Sequence, residues 1–175
     1  MADRVVTVSP AYKEEIQGGG PSDGGWGLQE KVRQRNSRLD GILNGIDTEE
    51  WDPARDEHIS THYDVTNTSG KIQCKLDLQA QLGLEQDANK PLIAFIGRLA
   101  PQKGMDVIEG ALHWLMGGDG EGVLGDAQLV MMGSGEHRYA EFMRNSEQQY
   151  KGRVCGYVGF SADMEHKIIA GADIL

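Results

Sequence analysis

The stretch LIAFIGRLAPQKG, residues 92–104, decides which fold this chain is expected to adopt. Its first five residues are apolar and include the β-branched and aromatic types that favour a buried strand. A turn containing Gly97 and Pro101 follows, and an amphipathic segment begins at Lys103. The same order of strand, turn and helix recurs toward the C-terminus. Apolar strands that alternate with helices predict an α/β fold, with a parallel sheet covered on both faces.

The predicted elements of this region alternate without interruption. In chain order they are a strand at 92–96, a helix at 103–116, a strand at 128–132, a helix at 136–150, a strand at 153–158, a helix at 162–170 and a strand that begins at 174–175. Apolar residues recur through the first of these helices at the spacing of one helical face. The face that we expect to be buried comprises Val107, Ile108, Ala111, Leu112 and Leu115.

The first half of the chain is less regular, and polar turns separate its short elements. The pattern predicts a strand at 4–8, a short helix that Ser9 caps and Pro10 begins, a glycine-rich loop at 18–25, a weak helix at 26–35 and a strand at 39–43. Residues 44–69 are rich in turn-forming types and are interpreted as a crossover. A helix is expected at 71–82, with its apolar rows formed by Ile72, Leu76, Ala80, Leu78 and Leu82.

Composition narrows the range of functions. A hydrophobic share of 39% suits a globular protein with a sizeable core, and a formal net charge of -10 argues against a nucleic-acid-binding surface. With only Cys74 and Cys155, the chain lacks a disulfide framework, which favours a reducing compartment. Apolar runs are too short to span a membrane, so no membrane partner is expected.

The turn after the strand at 92–96 is the strongest candidate for a binding site. In an open α/β sheet, ligands bind beyond the carboxyl ends of the strands. Gly97 permits close backbone approach, while Arg98 and Lys103 can place a guanidinium and an ammonium on one diphosphate. The alternative is that both cations are solvated residues of a surface turn.

Two further strand ends lie at the same predicted edge. Gly133-Ser134-Gly135 could approach the crevice or could be a simple turn. In the third turn, Phe160 could lie against a nucleotide base or belong to the core, and Ser161 could cap the next helix.

The histidines of the crossover raise the question of a metal. Asp56, His58, His62 and Asp64 have ligand side chains, but no third firm ligand is evident in the local sequence, and we expect no metal. Trp26, Trp51 and Trp114 are expected to pack, with Trp26 a weak candidate for contact with a glucan.

Five motifs in register indicate a known family. The chain resembles starch synthases and bacterial-type glycogen synthases, which form glycosyltransferase family 5, and is most similar to the plant and algal starch synthases. The motifs are VVTVSPAYKEEI (5–16), NGIDTEEWDP (44–53), KLDLQAQLGL (75–84), GRLAPQKGMD (97–106) and AGADIL (170–175), with GGWGL (24–28) and GYVGFS (156–161) favouring the plant and algal members.

This resemblance implies a two-lobed glycosyltransferase of the GT-B type. Residues 1–43 would end the acceptor-side lobe, 44–84 would form the crossover and helix, and 85–175 would begin a Rossmann-like lobe that binds nucleotide sugar. The implied reaction is retaining transfer of glucose from ADP-glucose to the non-reducing end of an α-1,4-glucan, without a cofactor. Its implied location is the plastid.

The resemblance also assigns roles to residues. Arg98 and Lys103 would hold the diphosphate of ADP-glucose, next to Gly97, and Asn44 would approach the sugar. Gly159 and Phe160, with Ser161, fall where the family lines the adenine site. The family's lysine loop KTGGL and the glutamate of its EPCG segment have no counterpart here, so we expect an internal fragment that is inactive in isolation.

Three other functions compete with this interpretation. A GT-B transferase that uses a UDP- or GDP-sugar would suit the same pair of cations. A non-catalytic glucan-binding scaffold could retain the fold. A nicotinamide-dependent oxidoreductase is less favoured, because the first strand-to-helix turn lacks the GxGxxG pattern.

Overall fold

The computed structural model describes residues 3–19, 25–117 and 125–175, and these form two compact units. The first unit is Met1–Asp47 and the second is Thr48–Leu175. The predicted division at 43/44 and 84/85 into parts of two lobes stays a prediction, and each compact unit is described by itself.

The first unit is a small parallel pair of strands with short helices. Its elements are β1 (Val5–Thr7), α1 (Pro10–Glu14), a wide turn at Glu15–Gly19, α2 (Gln29–Arg33), a 3-10 turn at Asn36–Arg38 and β2 (Leu39–Gly41). Strand β1 pairs with β2 in parallel, with Val5 opposite Leu39. The predicted cap is confirmed, because the Ser9 hydroxyl accepts a hydrogen bond of 3.0 Å from the backbone N–H of Tyr12.

The predicted glycine-rich loop falls only partly within this description, since residues 20–24 lie outside it. Trp26, just after them, is 90% exposed, so the expectation that it packs is wrong. Glycine neighbours supply too few apolar groups to cover an indole ring at this position.

The second unit contains the predicted parallel sheet. Its elements are α3 (Ser69–Gln81), β3 (Leu92–Ile96), a 3-10 turn at Pro101–Lys103, α4 (Met105–Leu115), β4 (Gln128–Gly133), α5 (His137–Gln149), β5 (Val154–Val158) and α6 (Ala162–Gly171). The strand order is β3-β4-β5, and both pairings are parallel. A further strand was expected to begin at Ile174, and this residue forms a parallel bridge to Ile93 of β3.

Strand β4 lies at the centre of the sheet and is buried along its full length. Because side chains alternate along a strand, Val130 and Met132 face one core cluster, and Leu129 and Met131 face the other. The first cluster joins the sheet to α3 and α6. The second joins it to α4 and α5. Together the two clusters cover both faces of the sheet, as the apolar strands required.

Two predicted helix faces need correction. In α3, Ile72 and Ala80 are exposed, whereas Lys75 and Gln79 are buried. The Lys75 ammonium donates 2.7 Å to Asp173 and 2.9 Å to the carbonyl of Ala88, which compensates its burial.

In α4, Val107 is 68% exposed and lies outside the buried face, whereas Leu112 is buried and both Ile108 and Leu115 pack against the core as predicted. Met105 and Met116 are also buried in this cluster. These flexible methionines extend the buried face at the two ends of the helix.

No helix among the described residues combines the length and apolar character needed to cross a membrane.

Trp114 is about half-exposed on the surface of α4, so it is only partly packed.

Both cysteines are free and buried. Burial raises the pKa of the Cys155 thiol to about 11, and burial also raises the pKa of Cys74 above its ordinary value. A thiol with a raised pKa is mostly protonated at mildly alkaline pH and therefore a poor nucleophile.

We expect the Cys155 thiol of the native chain to react with Ellman's reagent at about pH 8 on the order of a hundredfold more slowly than in the urea-unfolded chain, because little thiolate is present. The Cys74 thiol should also react more slowly in the native chain. The rate should rise as the pH approaches the raised pKa. Equal rates for native and unfolded chains at the lower pH would contradict this.

Candidate functional site

A cleft of about 340 Å³ lies where the carboxyl ends of β3, β4 and β5 meet. It is lined by Ile96, Gly97, Arg98, Met132, Gly133, Ser134, Phe160 and Glu165. All three strand ends that the sequence singled out therefore contribute to one concave surface. This edge of a parallel sheet is where α/β folds bind ligands.

Hydrogen bonds fix the turn that carries Arg98. Leu99, the next residue, is fully buried, and its N–H donates 3.0 Å to the carbonyl of Ser134. The carbonyl of Leu99 accepts a hydrogen bond of 2.9 Å from the N–H of Glu136. The N–H of Gly97 donates a hydrogen bond of 3.0 Å to the carbonyl of Met132. Arg98 thus stands between two anchored residues, and its side chain is exposed at the cleft.

The glycines at 133 and 135 allow this close approach. A Cβ atom on Gly133 would collide with the carbonyl oxygen of Gly97, and one on Gly135 would lie 2.5 Å from the carbonyl oxygen of Leu99. Both glycines are therefore needed where the two turns touch. The Gly-Ser-Gly sequence forms a backbone junction, which a simple turn would not require.

The third strand end places an aromatic ring at the cleft. Gly159 donates 2.8 Å from its N–H to the carbonyl of Gly133, and the hydroxyl of Ser161 accepts 3.3 Å from Met164 as the predicted cap of α6. Between them, Phe160 is 68% exposed. The alternative that Phe160 belongs to the core is wrong, and its ring is available to stack on a planar group.

The two cations of this edge, Arg98 and Lys103, are not held in ion pairs within the described ranges. Neither Arg98 nor Lys103 has an ion-pair partner among residues 3–19, 25–117 and 125–175, although Glu165 also lines the cleft. Lys103 lies in the 3-10 turn Pro101–Lys103 and is exposed, but it is not one of the described lining residues.

The remaining predicted site residue is Asn44, which lies exposed in the first compact unit. Its approach to a sugar stays a prediction.

Among the predicted site residues, the structure brings Gly97, Arg98 and Phe160 to one cleft. Gly159 and Ser161 hold the turn on either side of Phe160. An exposed guanidinium beside a glycine and an exposed aromatic ring suit a ligand that carries phosphate and a base.

A second polar cluster lies on the crossover and includes a residue that the sequence analysis missed. Asp56 is buried, and its carboxylate lies 2.8 Å from Nδ1 of His166 on α6. His58 also adjoins this pair. His62, by contrast, contacts the carbonyl of Asp56, and Asp64 caps a local turn. Sequence separation hid His166, because its partner lies 110 residues away.

Comparison with known proteins gives consistent matches over the whole chain. It is 47% identical to soluble starch synthase 1 of Solanum tuberosum over 175 residues, which is 100% of the chain and 26% of that protein. It is 44% identical to starch synthase 1 of Arabidopsis thaliana, covering 99% of the chain and 25% of the relative. Both proteins are described as chloroplastic/amyloplastic. The chain therefore spans about a quarter of the length of these relatives.

A solved structure shows the same fold. The catalytic domain of starch synthase IV from Arabidopsis thaliana, bound to ADP and acarbose, matches with a TM-score of 0.84 and 31% identity. The match covers 98% of this chain and 34% of that structure. No protein-family model matches the chain.

Gly133→Ala should lower the free energy of unfolding by about 2–4 kcal/mol, because the added methyl group collides with the backbone at Gly97. Gly110→Ala is a matched control, since a Cβ atom at this helical position meets nothing within 4 Å. It should be neutral or stabilise by about 0.5–1 kcal/mol. Urea unfolding measures both, and equal stabilities of the two variants would show that the junction is not tight.

Proposed function

We propose that this chain, a starch synthase homologue along its whole length with the GT-B fold of a starch synthase catalytic domain, binds the nucleotide part of ADP-glucose at the cleft of β3, β4 and β5. The observation that carries this proposal is the meeting of Arg98, Gly97 and Phe160 at one cleft. The guanidinium of Arg98 and the close backbone approach at Gly97 suit a phosphate, and the ring of Phe160 suits a base.

Each group has a distinct task in the proposal. The Arg98 guanidinium forms two parallel hydrogen bonds to phosphate oxygens, and Gly97 lets the phosphates approach the backbone. Phe160 stacks on the adenine, while Gly159 and Ser161 hold the turn that presents its ring. Lys103, from the exposed turn before α4, adds a mobile positive charge to the diphosphate.

The reaction that we propose for the whole protein is retaining glucosyl transfer. The bond between the anomeric carbon of glucose and the diphosphate oxygen breaks, and the 4-hydroxyl oxygen at the non-reducing end of an α-1,4-glucan bonds to that carbon. The proton of this hydroxyl passes to the departing diphosphate. Negative charge builds on the departing ADP, so fixed cations beside it lower the barrier most as the bond breaks. Asn44 is proposed to approach the sugar.

We extend the proposal to the location and the substrates of the protein. The relatives named above are described as chloroplastic/amyloplastic, and the solved neighbour is bound to ADP and acarbose. We propose a plastid location, ADP-glucose and an α-1,4-glucan as substrates, and no cofactor in the transfer reaction itself. Trp26, the weak candidate for contact with the glucan, is exposed and directly follows the glycine-rich stretch.

Arg98→Ala should weaken ADP binding by the 175-residue chain at least about tenfold, because a charge-assisted, bidentate contact to phosphate is lost. Isothermal titration calorimetry measures this. Arg144→Ala removes an exposed arginine of α5 that does not line the cleft and should leave the affinity unchanged. An unaltered affinity of the Arg98 variant would refute the proposed phosphate site.

Competition among ADP, UDP and GDP in the same assay tests the choice of donor. We expect ADP to bind most tightly. Preference for UDP or GDP would support the rival sugar transferases, and failure of all three nucleotides to bind would favour the scaffold.

Within an active enzyme that contains this segment, Lys103→Ala and Arg98→Ala should each lower kcat on the order of a hundredfold or more, as expected when one preorganised charge donor is removed. Transfer of labelled glucose to a glucan measures the rate. Unchanged turnover in both variants would reject the leaving-group assignment.

A further inference from the structure

The cluster around His166 lies in a cavity of about 330 Å³ whose lining is rich in carboxylates. The lining residues are Glu49, Glu50, Arg55, Asp56, Glu57, His58 and His166. Within this lining, Arg55 is paired with Asp52 at 2.9 Å. A cavity that combines acidic side chains with two imidazoles favours a bound cation.

The donor atoms converge on a small volume. One ligand atom each from Asp56, His58 and His166 lies within 4.8 Å of the other two. We propose that these three residues bind a divalent transition metal of the zinc class. Imidazole nitrogen and carboxylate oxygen are ligands that such metals prefer, and three protein ligands leave a fourth position open in a tetrahedral site.

The His166 ring is already held in one orientation. Its Nδ1 lies 2.8 Å from the Asp56 carboxylate, and the ring stacks on Trp51 with centroids 4.0 Å apart and planes within 4°. Its Nε2 lies 3.9 Å from the carboxylate of Glu50, the nearest acidic group on that side. Because Nδ1 already faces Asp56, a metal bound between these two atoms would take the place of their hydrogen bond, and the stacking on Trp51 limits the entropy that the ring loses.

The second imidazole can complete the site with a small movement. The His58 ring lies 4.4 Å from the His166 ring, centroid to centroid, with a tilt of 38°. Ligand atoms at zinc–nitrogen distances of about 2.0–2.1 Å are roughly 3.4 Å apart. The widest donor separation is at most 4.8 Å and must therefore close by up to about 1.4 Å, while Asp56 and His166 must move apart from 2.8 Å. The His58 side chain is 42% exposed and only weakly held by Asp163 at 3.3 Å, which leaves it free to supply that movement.

Such a site would join the crossover to α6. His58 and Asp56 belong to the crossover, and His166 belongs to the helix that follows Phe160. Glu165, the residue before His166, lines the nucleotide cleft. A bound metal would therefore clamp two segments that the chain brings together only by folding. Its expected effect is greater stability of the second compact unit.

Zn²⁺ binding by the chelator-treated 175-residue chain tests the proposal in a buffer without metal-binding groups. We expect one Zn²⁺ per chain by calorimetry, a raised Tm, and d–d absorption typical of tetrahedral coordination when Co²⁺ replaces Zn²⁺. His58→Ala should weaken Zn²⁺ binding at least about tenfold, because a direct ligand is lost. Circular dichroism should show that this exposed substitution leaves the fold intact.

His137→Ala is the matched control, because His137 is an exposed histidine on α5 that also lies beside a carboxylate, Glu141, at 3.4 Å. It should keep the affinity of the unaltered chain. Absence of stoichiometric binding, or equal affinity of the His58 variant and the unaltered chain, would overturn the proposal. Loss of binding in the His137 variant would overturn it as well.

Discussion

The contact between the turns after β3 and β4 is the constraint on which the cleft depends. Gly133 lies against the carbonyl of Gly97, and Gly135 lies against Leu99, so closely that neither position has room for a Cβ atom. The side chain of Leu99 is buried in the core and anchors the turn after β3. Because backbone atoms contact each other directly, side-chain rearrangement cannot relieve a change here. The position of Arg98 follows from this junction.

From that junction the cleft extends to the third strand end. The N–H of Gly159 donates a hydrogen bond to the carbonyl of Gly133. This bond links the turn that bears Phe160 to the junction of the other two turns. The backbone positions of Arg98 and Phe160 are thereby fixed by the sheet at one concave surface. Rigid placement matters for the proposed chemistry, because charge stabilisation is most effective when the donors need not reorganise.

Sequence periodicity could predict the sheet, since the apolar strands and the glycine turns are local signals, and it could place Gly97, Arg98 and Phe160 at one edge. It could not predict the buried face of α3. Lys75 and Gln79 look like surface residues, and only distant partners such as Asp173 and Gln128 make their burial tolerable. His166 was missed for the same physical reason: its carboxylate partner is remote in sequence.

The most direct measurement of the central claim is an NMR titration of the isotopically labelled chain with ADP, followed through backbone amide shifts. We expect the largest changes at Gly97, Arg98, Ser134 and Phe160, where the three strand ends form the cleft. Large shifts confined to other surfaces, such as the exposed face of α5, would contradict it. Unchanged spectra with ADP in excess would contradict it equally.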